Sequence, residues 1–150
     1  MNTRSKKVHK VMSLILLVAV MVTIFCLSHQ DSTDSAEVSG SVVSWLYDLL
    51  KIDLPDGTVR TIAHCCEYAA LGFLMLNALR SFKQSSSPIL SALLSFTYAI
   101  TDEIHQLFIP GRAFQLVDLA VDLAGIILGT VAFIILVKII KSKKDKSLCT

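Results

Sequence analysis

The sequence predicts an all-α integral membrane protein: a four-helix transmembrane bundle with an amphipathic helix in the first outer loop. Three observations predict it. Of the 150 residues, 53% are hydrophobic and 17% charged, against about 25% charged in a typical soluble domain. The charges gather in short stretches and leave long apolar runs between them. Each run ends in residues that close a span. The same composition excludes a disordered chain, whose signature is low hydrophobicity with high charge. A net charge of +2, with the basic residues set between apolar runs, gives no reason to expect a nucleic-acid partner. Cys26, Cys65, Cys66 and Cys149 have neither zinc-ligand nor disulfide-framework spacing.

The first span, about 11–27, is uncharged and as a helix reaches about 26 Å, close to the roughly 30 Å of a hydrocarbon core. Its basic start, with Cys26 and Ser28 at plausible cleavage positions, also fits a cleaved signal peptide, the competing reading of this segment. In the loop that follows, Val38, Val42, Trp45, Leu46 and Leu49 recur at helical spacing. They predict an amphipathic helix, either lying on the outer leaflet with Trp45 and Tyr47 at headgroup depth or packed over the bundle mouth. The second span, about 61–79, is closed by Arg80 and Lys83. The third, about 88–108, opens at Pro88 after a serine run and is broken by Pro110-Gly111. The fourth, about 114–137, ends at Lys138. The chain thus divides into a basic N-terminus (1–10), a membrane domain (11–137) and a lysine-rich tail (138–150).

With four spans and the N-terminus inside, 11 of the 14 Lys and Arg fall on the inner side; only Lys51, Arg60 and Arg112 do not. The positive-inside rule therefore predicts cytoplasmic termini.

Ionisable side chains within spans cost at least about 2.5 kcal/mol each, so they mark function or a structural network. Measured from Arg80, Pro88 and Lys138, the depths of Glu67, Asp102 and Asp122 are about 20, 21 and 24 Å, and those of His64 and His105 about 24 and 26 Å. Three helices counted from three starting points place these groups at one level, the outer third of the membrane. An outward-facing His/carboxylate pocket is expected there. His64, Glu67 and Tyr68 share a helical face with Leu71-Gly72; Asp102, His105 and Gln106 share another, with Glu103 about 100° round toward a neighbour. Asp118, Asp122, Gly125 and Gly129 form one stripe, and the two glycines permit close backbone approach. Arg112 stands over the mouth as a candidate anion clamp.

These side chains suit hydrolysis or group transfer, with His64 or His105 as base and Glu67 or Asp102 orienting it. Glu103, Asp118 and Asp122 complete the catalytic candidates; Tyr68, Gln106 and Arg112 are candidates for holding substrate. No Ser-His-Asp or Cys-His signature is present. The same residues also suit a non-catalytic binding or shielding module, or a structural polar network between helices. His64, Glu67, Asp102 and His105 would make an acceptable shell for a divalent metal. A proton-coupled transporter is disfavoured, because no polar residues continue to the inner face.

Three motifs, His64-x-x-Glu67-Tyr68-x-x-Leu71-Gly72, Asp102-Glu103-x-His105-Gln106-x-Phe108-x-Pro110-Gly111-Arg112 and Asp118-x-x-x-Asp122-x-x-Gly125-x-x-x-Gly129, in this order and spacing, closely resemble the VanZ-like family. Phe25, Ser28 and Gln30 resemble its pattern at the end of the first span, and Ser28 and Gln30 join the substrate-binding candidates on that ground. The resemblance covers about residues 12–137 and departs at Asp122, where Asn is often expected. It implies a small multi-pass protein of the bacterial plasma membrane. The founding member is linked to resistance to the glycopeptide teicoplanin, so a lipid-linked envelope precursor or a glycopeptide antibiotic is the implied partner. The resemblance implies no established reaction.

Overall fold

The structure, a computed structural model, describes residues 3–29, 41, 57–83 and 87–148. Among them four helices follow in order: α1 (Thr3–Ser28), α2 (Thr58–Phe82), α3 (Pro88–Gln106) and α4 (Leu116–Leu148). Among the described residues no strand occurs. α1, α2 and the Leu116–Lys144 part of α4 are each long and apolar enough to cross a membrane, so the molecule is a helical membrane bundle. α3 has 19 residues and falls short by that measure, because Asp102, Glu103, His105 and Gln106 fill its last turns. Asp102, Glu103 and Gln106 are all buried, so the polar part of this helix faces its neighbours.

The helices begin and end where backbone chemistry dictates, and hydropathy alone misplaces some of these ends. Expected from about residue 11, α1 starts at Thr3; expected to stop near 137, α4 continues to Leu148. Lysine is a good helix former, so apolar character runs out before the helix does. At the start of α3 the Ser87 side chain accepts the Ile89 N–H at 3.2 Å, with Pro88 in the first turn. α3 unwinds at Gln106, and the Arg112 N–H donates to the Ile109 carbonyl at 3.1 Å, with Gly111 at φ 74°. Proline then a left-handed glycine is the sequence of a type II turn. The amphipathic helix expected over 38–49 lies outside the described residues apart from Ser41, as do Gln30 and Cys149.

Successive helices alternate in direction. The end of α1, the start of α2, the end of α3 and the start of α4 therefore meet at one end of the bundle, the polar end. Arg4, Lys10, Arg80, Lys83 and Lys138 lie toward the other. The shared core is Leu17, Ile24, Tyr68, Leu71, Met75, Ala78, Ala99 and Ile126. Leu14, Ile15, Val18, Leu93, Leu128 and Ile135 are exposed, which suits contact with lipid and not with water.

α2 and α4 run parallel and lie backbone to backbone. A Cβ added at Gly125 would overlap the Cys65 carbonyl oxygen, one at Gly129 the Ala69 carbonyl oxygen, and one at Gly72 the Ile126 carbonyl oxygen. In lipid, helices associate through packing and hydrogen bonds because the tails are as apolar as the side chains. These glycines provide the packing. α1 is tied to the others by hydrogen bonds: Ser13 and Ser81 hydroxyls meet at 2.8 Å, and the Tyr98 hydroxyl donates to the Met21 carbonyl at 2.6 Å.

Candidate functional site

The glycine contact sets what lies above it. Arg60 and His64 are four residues apart on α2, as Asp118 and Asp122 are on α4, so each pair lies one above the other. In parallel helices this close, the two rows meet as rungs. The Arg60 guanidinium donates to Asp118 Oδ2 at 3.3 Å, and His64 Nδ1 lies 3.1 Å from Asp122 Oδ1. The outer rung is partly exposed; in the inner one the Asp122 side chain is fully buried.

α3 and α1 close the other side. Asp102 Oδ2 accepts from the Ser28 hydroxyl at 2.7 Å and from the Tyr68 hydroxyl at 3.2 Å, joining three helices through one oxygen. Arg60 also donates to Gln106 Oε1 at 3.4 Å. Glu103 Oε2 accepts the Gln115 backbone N–H at 2.9 Å, a carboxylate at the start of α4 where the helix dipole favours negative charge. That is the neighbour toward which its helical phase points it.

His105 has a different setting from the one expected. Its Nε2 lies 3.2 Å from His29 Nδ1, and its ring stacks on Phe25 with centroids 4.6 Å apart. It therefore stands at the rim between α1 and α3. Glu67 is half-buried and makes no hydrogen bond among the described residues, although it lies within electrostatic reach of His64, Asp102, Asp122 and Arg112. Arg112, in the α3–α4 loop, is held below the usual guanidinium range by burial and by the neighbouring Arg60, against the pull of Asp102, Asp118 and Glu103.

Two expectations are corrected by this geometry. The carboxyl that meets His64 Nδ1 is that of Asp122 on α4, and neither Glu67 nor Asp102 makes a hydrogen bond to it among the described residues. The set His64, Glu67, Asp102 and His105 does not converge, because His64 turns to α4, Asp102 to Ser28 and Tyr68, and His105 to His29. Among the described residues, no three His, Cys, Asp or Glu side chains come together to hold a metal ion. Ser28, placed with the substrate-binding candidates, donates to Asp102.

Sequence reasoning takes Arg60 for an interfacial anchor in preference to a ligand and gives His29 no role, yet Arg60 joins the cluster and His29 meets His105 at its rim. Arg60 lies one turn before His64 on the same stripe and reads as an interfacial anchor; extending the His64 face by four residues finds it. His29 follows Ser28 directly and carries no comparable signal.

The site retains unmatched hydrogen-bonding capacity. Asp102 Oδ1, Glu103 Oε1, Asp122 Oδ2, Gln106 Nε2 and Arg60 Nε are all buried without a partner among the described residues, where native structures satisfy nearly every such group.

The sequence profile of the VanZ/LLP1 family matches residues 13–137. The chain belongs to the VanZ/LLP1 family. No curated protein and no solved structure matches it. The VanZ/LLP1 segment takes in every site residue from Phe25 to Asp122 and the packing glycines Gly72, Gly125 and Gly129. It stops one residue short of Lys138, so the basic end of α4 lies outside it. The polar cluster and the α2–α4 contact beneath it thus lie within one family unit.

Proposed function

We propose that this VanZ/LLP1 protein binds the headgroup of a lipid-linked cell-envelope substrate at the outer leaflet and acts on it by acid–base chemistry. The consequence in the cell is tolerance of a glycopeptide of the teicoplanin type. The observation that carries the reading is the His64–Asp122 pair, 3.1 Å between Nδ1 and Oδ1 inside a membrane bundle. A carboxylate on Nδ1 holds the imidazole with Nε2 free to take a proton. His64 Nε2 then accepts the proton of an attacking water or hydroxyl and returns it to the oxygen that leaves, while Tyr68 and Ser28 hold Asp102 in place. The outward orientation is supported by the charge asymmetry: 11 of 14 Lys and Arg belong to the opposite end.

The burial of Asp102, Glu103 and Asp122 favours a second reading, a module that holds or shields such a headgroup without turnover. One experiment separates the two. Purified protein in nanodiscs is mixed with a tenfold excess of a lipid-linked envelope precursor, and product is counted per protein. Catalysis predicts many turnovers, reduced about 100-fold or more in His64→Ala. Product absent under those conditions, with the precursor retained one to one, selects the shield. Unchanged turnover in His64→Ala removes the dyad from the reaction.

A further inference from the structure

The basic end of the bundle holds a guanidinium that meets no carboxylate among the described residues. Arg80, in the last turn of α2, lies about 24 Å along the helix from His64, at the depth where hydrocarbon gives way to headgroups. Its guanidinium carbon rests 5.5 Å from the centroid of the Phe133 ring on α4. Its Nε is buried with no hydrogen-bond partner among the described residues. The carboxyl side chains that the structure describes, Glu67, Asp102, Glu103, Asp118 and Asp122, all stand at the polar end. The sequence adds one acid, Asp145, among the lysines of the tail. A guanidinium is charged at every physiological pH and carries donors in a fixed fork. The acceptors that Arg80 needs are those of the headgroup layer around it.

The neighbours of Arg80 add charge of the same sign. Lys83 follows three residues on, along the same face of α2. On α4, Lys138 and Lys141 are exposed beyond Phe133. α1 brings Lys10, whose Nζ lies 5.7 Å from the centroid of the Phe82 ring, and the Ser13–Ser81 contact holds α1 to α2 at this level. Cations from three helices thus gather at one end, and aromatic faces hold two of them, Lys10 and Arg80, in place. A phosphodiester matches a guanidinium with two oxygens. Choline and ethanolamine headgroups bring a cation of their own into this field, whereas a glycerol headgroup leaves the phosphate charge uncancelled. Each Lys or Arg near an anionic membrane surface favours binding by about fivefold.

We propose that the basic end is a binding site for an anionic phospholipid, whose phosphate Arg80 receives beside Phe133 and whose net charge Lys83 and Lys138 favour. This site is separate from the polar end and serves in whichever leaflet the basic end faces.

The test is retention of lipid by the full chain, measured by native mass spectrometry. The protein is taken from nanodiscs of dioleoylphosphatidylcholine doped equally with dioleoylphosphatidylglycerol and dioleoylphosphatidylethanolamine. The glycerol lipid is expected to be retained about tenfold over the ethanolamine lipid. That preference is expected to fall to about twofold in Arg80→Gln, and to stay above about fivefold in Lys146→Gln, which removes the same charge farther along α4. Equal retention of the two lipids by the wild-type protein would overturn the anionic ligand, and that comparison stands even if a variant fails to fold. An equal fall in Arg80→Gln and Lys146→Gln would show a diffuse charge effect and overturn the site at Arg80, as would no fall in Arg80→Gln. Where Arg80→Gln does not fold, Arg80→Lys keeps the charge and loses the fork; the preference is expected to drop by about half. An unchanged preference in Arg80→Lys would overturn the guanidinium–phosphate contact.

Discussion

Asp122 on α4 gives His64 on α2 a carboxyl partner 3.1 Å from its Nδ1. The pair is buried between two helices, so its strength is open to measurement by a double-mutant cycle. With His64→Ala and Asp122→Ala unfolded in detergent, the coupling is expected at about 1–2 kcal/mol, near the upper end for hydrogen bonds between membrane helices. The corresponding His64–Glu67 cycle is expected below about 0.5 kcal/mol, since no hydrogen bond joins them. Equal couplings would mean that His64 belongs to both carboxylates. Tyr68→Phe removes one of two donors to Asp102 Oδ2 and is expected to cost about 1 kcal/mol on the same unfolding scale; no measurable loss would make Ser28 the sole effective donor. Residue types, spacing and depth are enough to select a polar cluster with His64, Glu67, Tyr68, Asp102, Glu103, Gln106, Arg112, Asp118 and Asp122, and they select His105 as well, which stands apart against His29 and Phe25. They do not say which of these touch, because side chains on different helices meet according to how the helices are rotated and offset.

At the scale of the element, α2 and α4 form the backbone of the site. The stripe Asp118, Asp122, Gly125, Gly129 states in sequence that carboxylates and a close-packing surface share one side of a helix. The structure adds the partner surface, the backbone of α2 at Cys65 and Ala69. Cys65 follows His64 directly, and Gly125 comes three residues after Asp122, so the glycine contact adjoins the His64–Asp122 rung and fixes its register. Gly129→Ala is expected to destabilise the bundle by about 1–3 kcal/mol in detergent unfolding, as overpacking does. Ala69→Gly is not expected to rescue it, because the atom in the way is the Ala69 backbone carbonyl oxygen. Rescue would place the contact on the side chain and move the two helices apart.

For the whole molecule, the decisive feature is polarity turned inward. Large apolar side chains cover the outside, while Ser28, His64, Asp102, Glu103, Gln106 and Asp122 are buried. Such a molecule is stable only where its surroundings are as apolar as its surface. The proposed orientation is tested in cells with single cysteines placed in a background without Cys26, Cys65, Cys66 and Cys149. Arg112→Cys is expected to react with a membrane-impermeant maleimide in intact cells, and Lys83→Cys only after permeabilisation. The reverse pattern would turn the polar end to the cytoplasm and end the outer-leaflet reading.

Composition and the spacing of apolar runs determined, without any tertiary information, that this chain is a helical membrane protein, and its motifs pointed to the VanZ/LLP1 kind. The same spacing put its ionisable groups at one level. Those properties depend on residues near in sequence and on the fixed rise of a helix. Tertiary structure alone decided that Asp122 partners His64, that Ser28 and Tyr68 converge on one oxygen of Asp102, and that His105 leaves the cluster for His29. These contacts depend on the rotation and offset of one helix against another, which the glycine contact between α2 and α4 sets and which helical periodicity within a single segment does not contain.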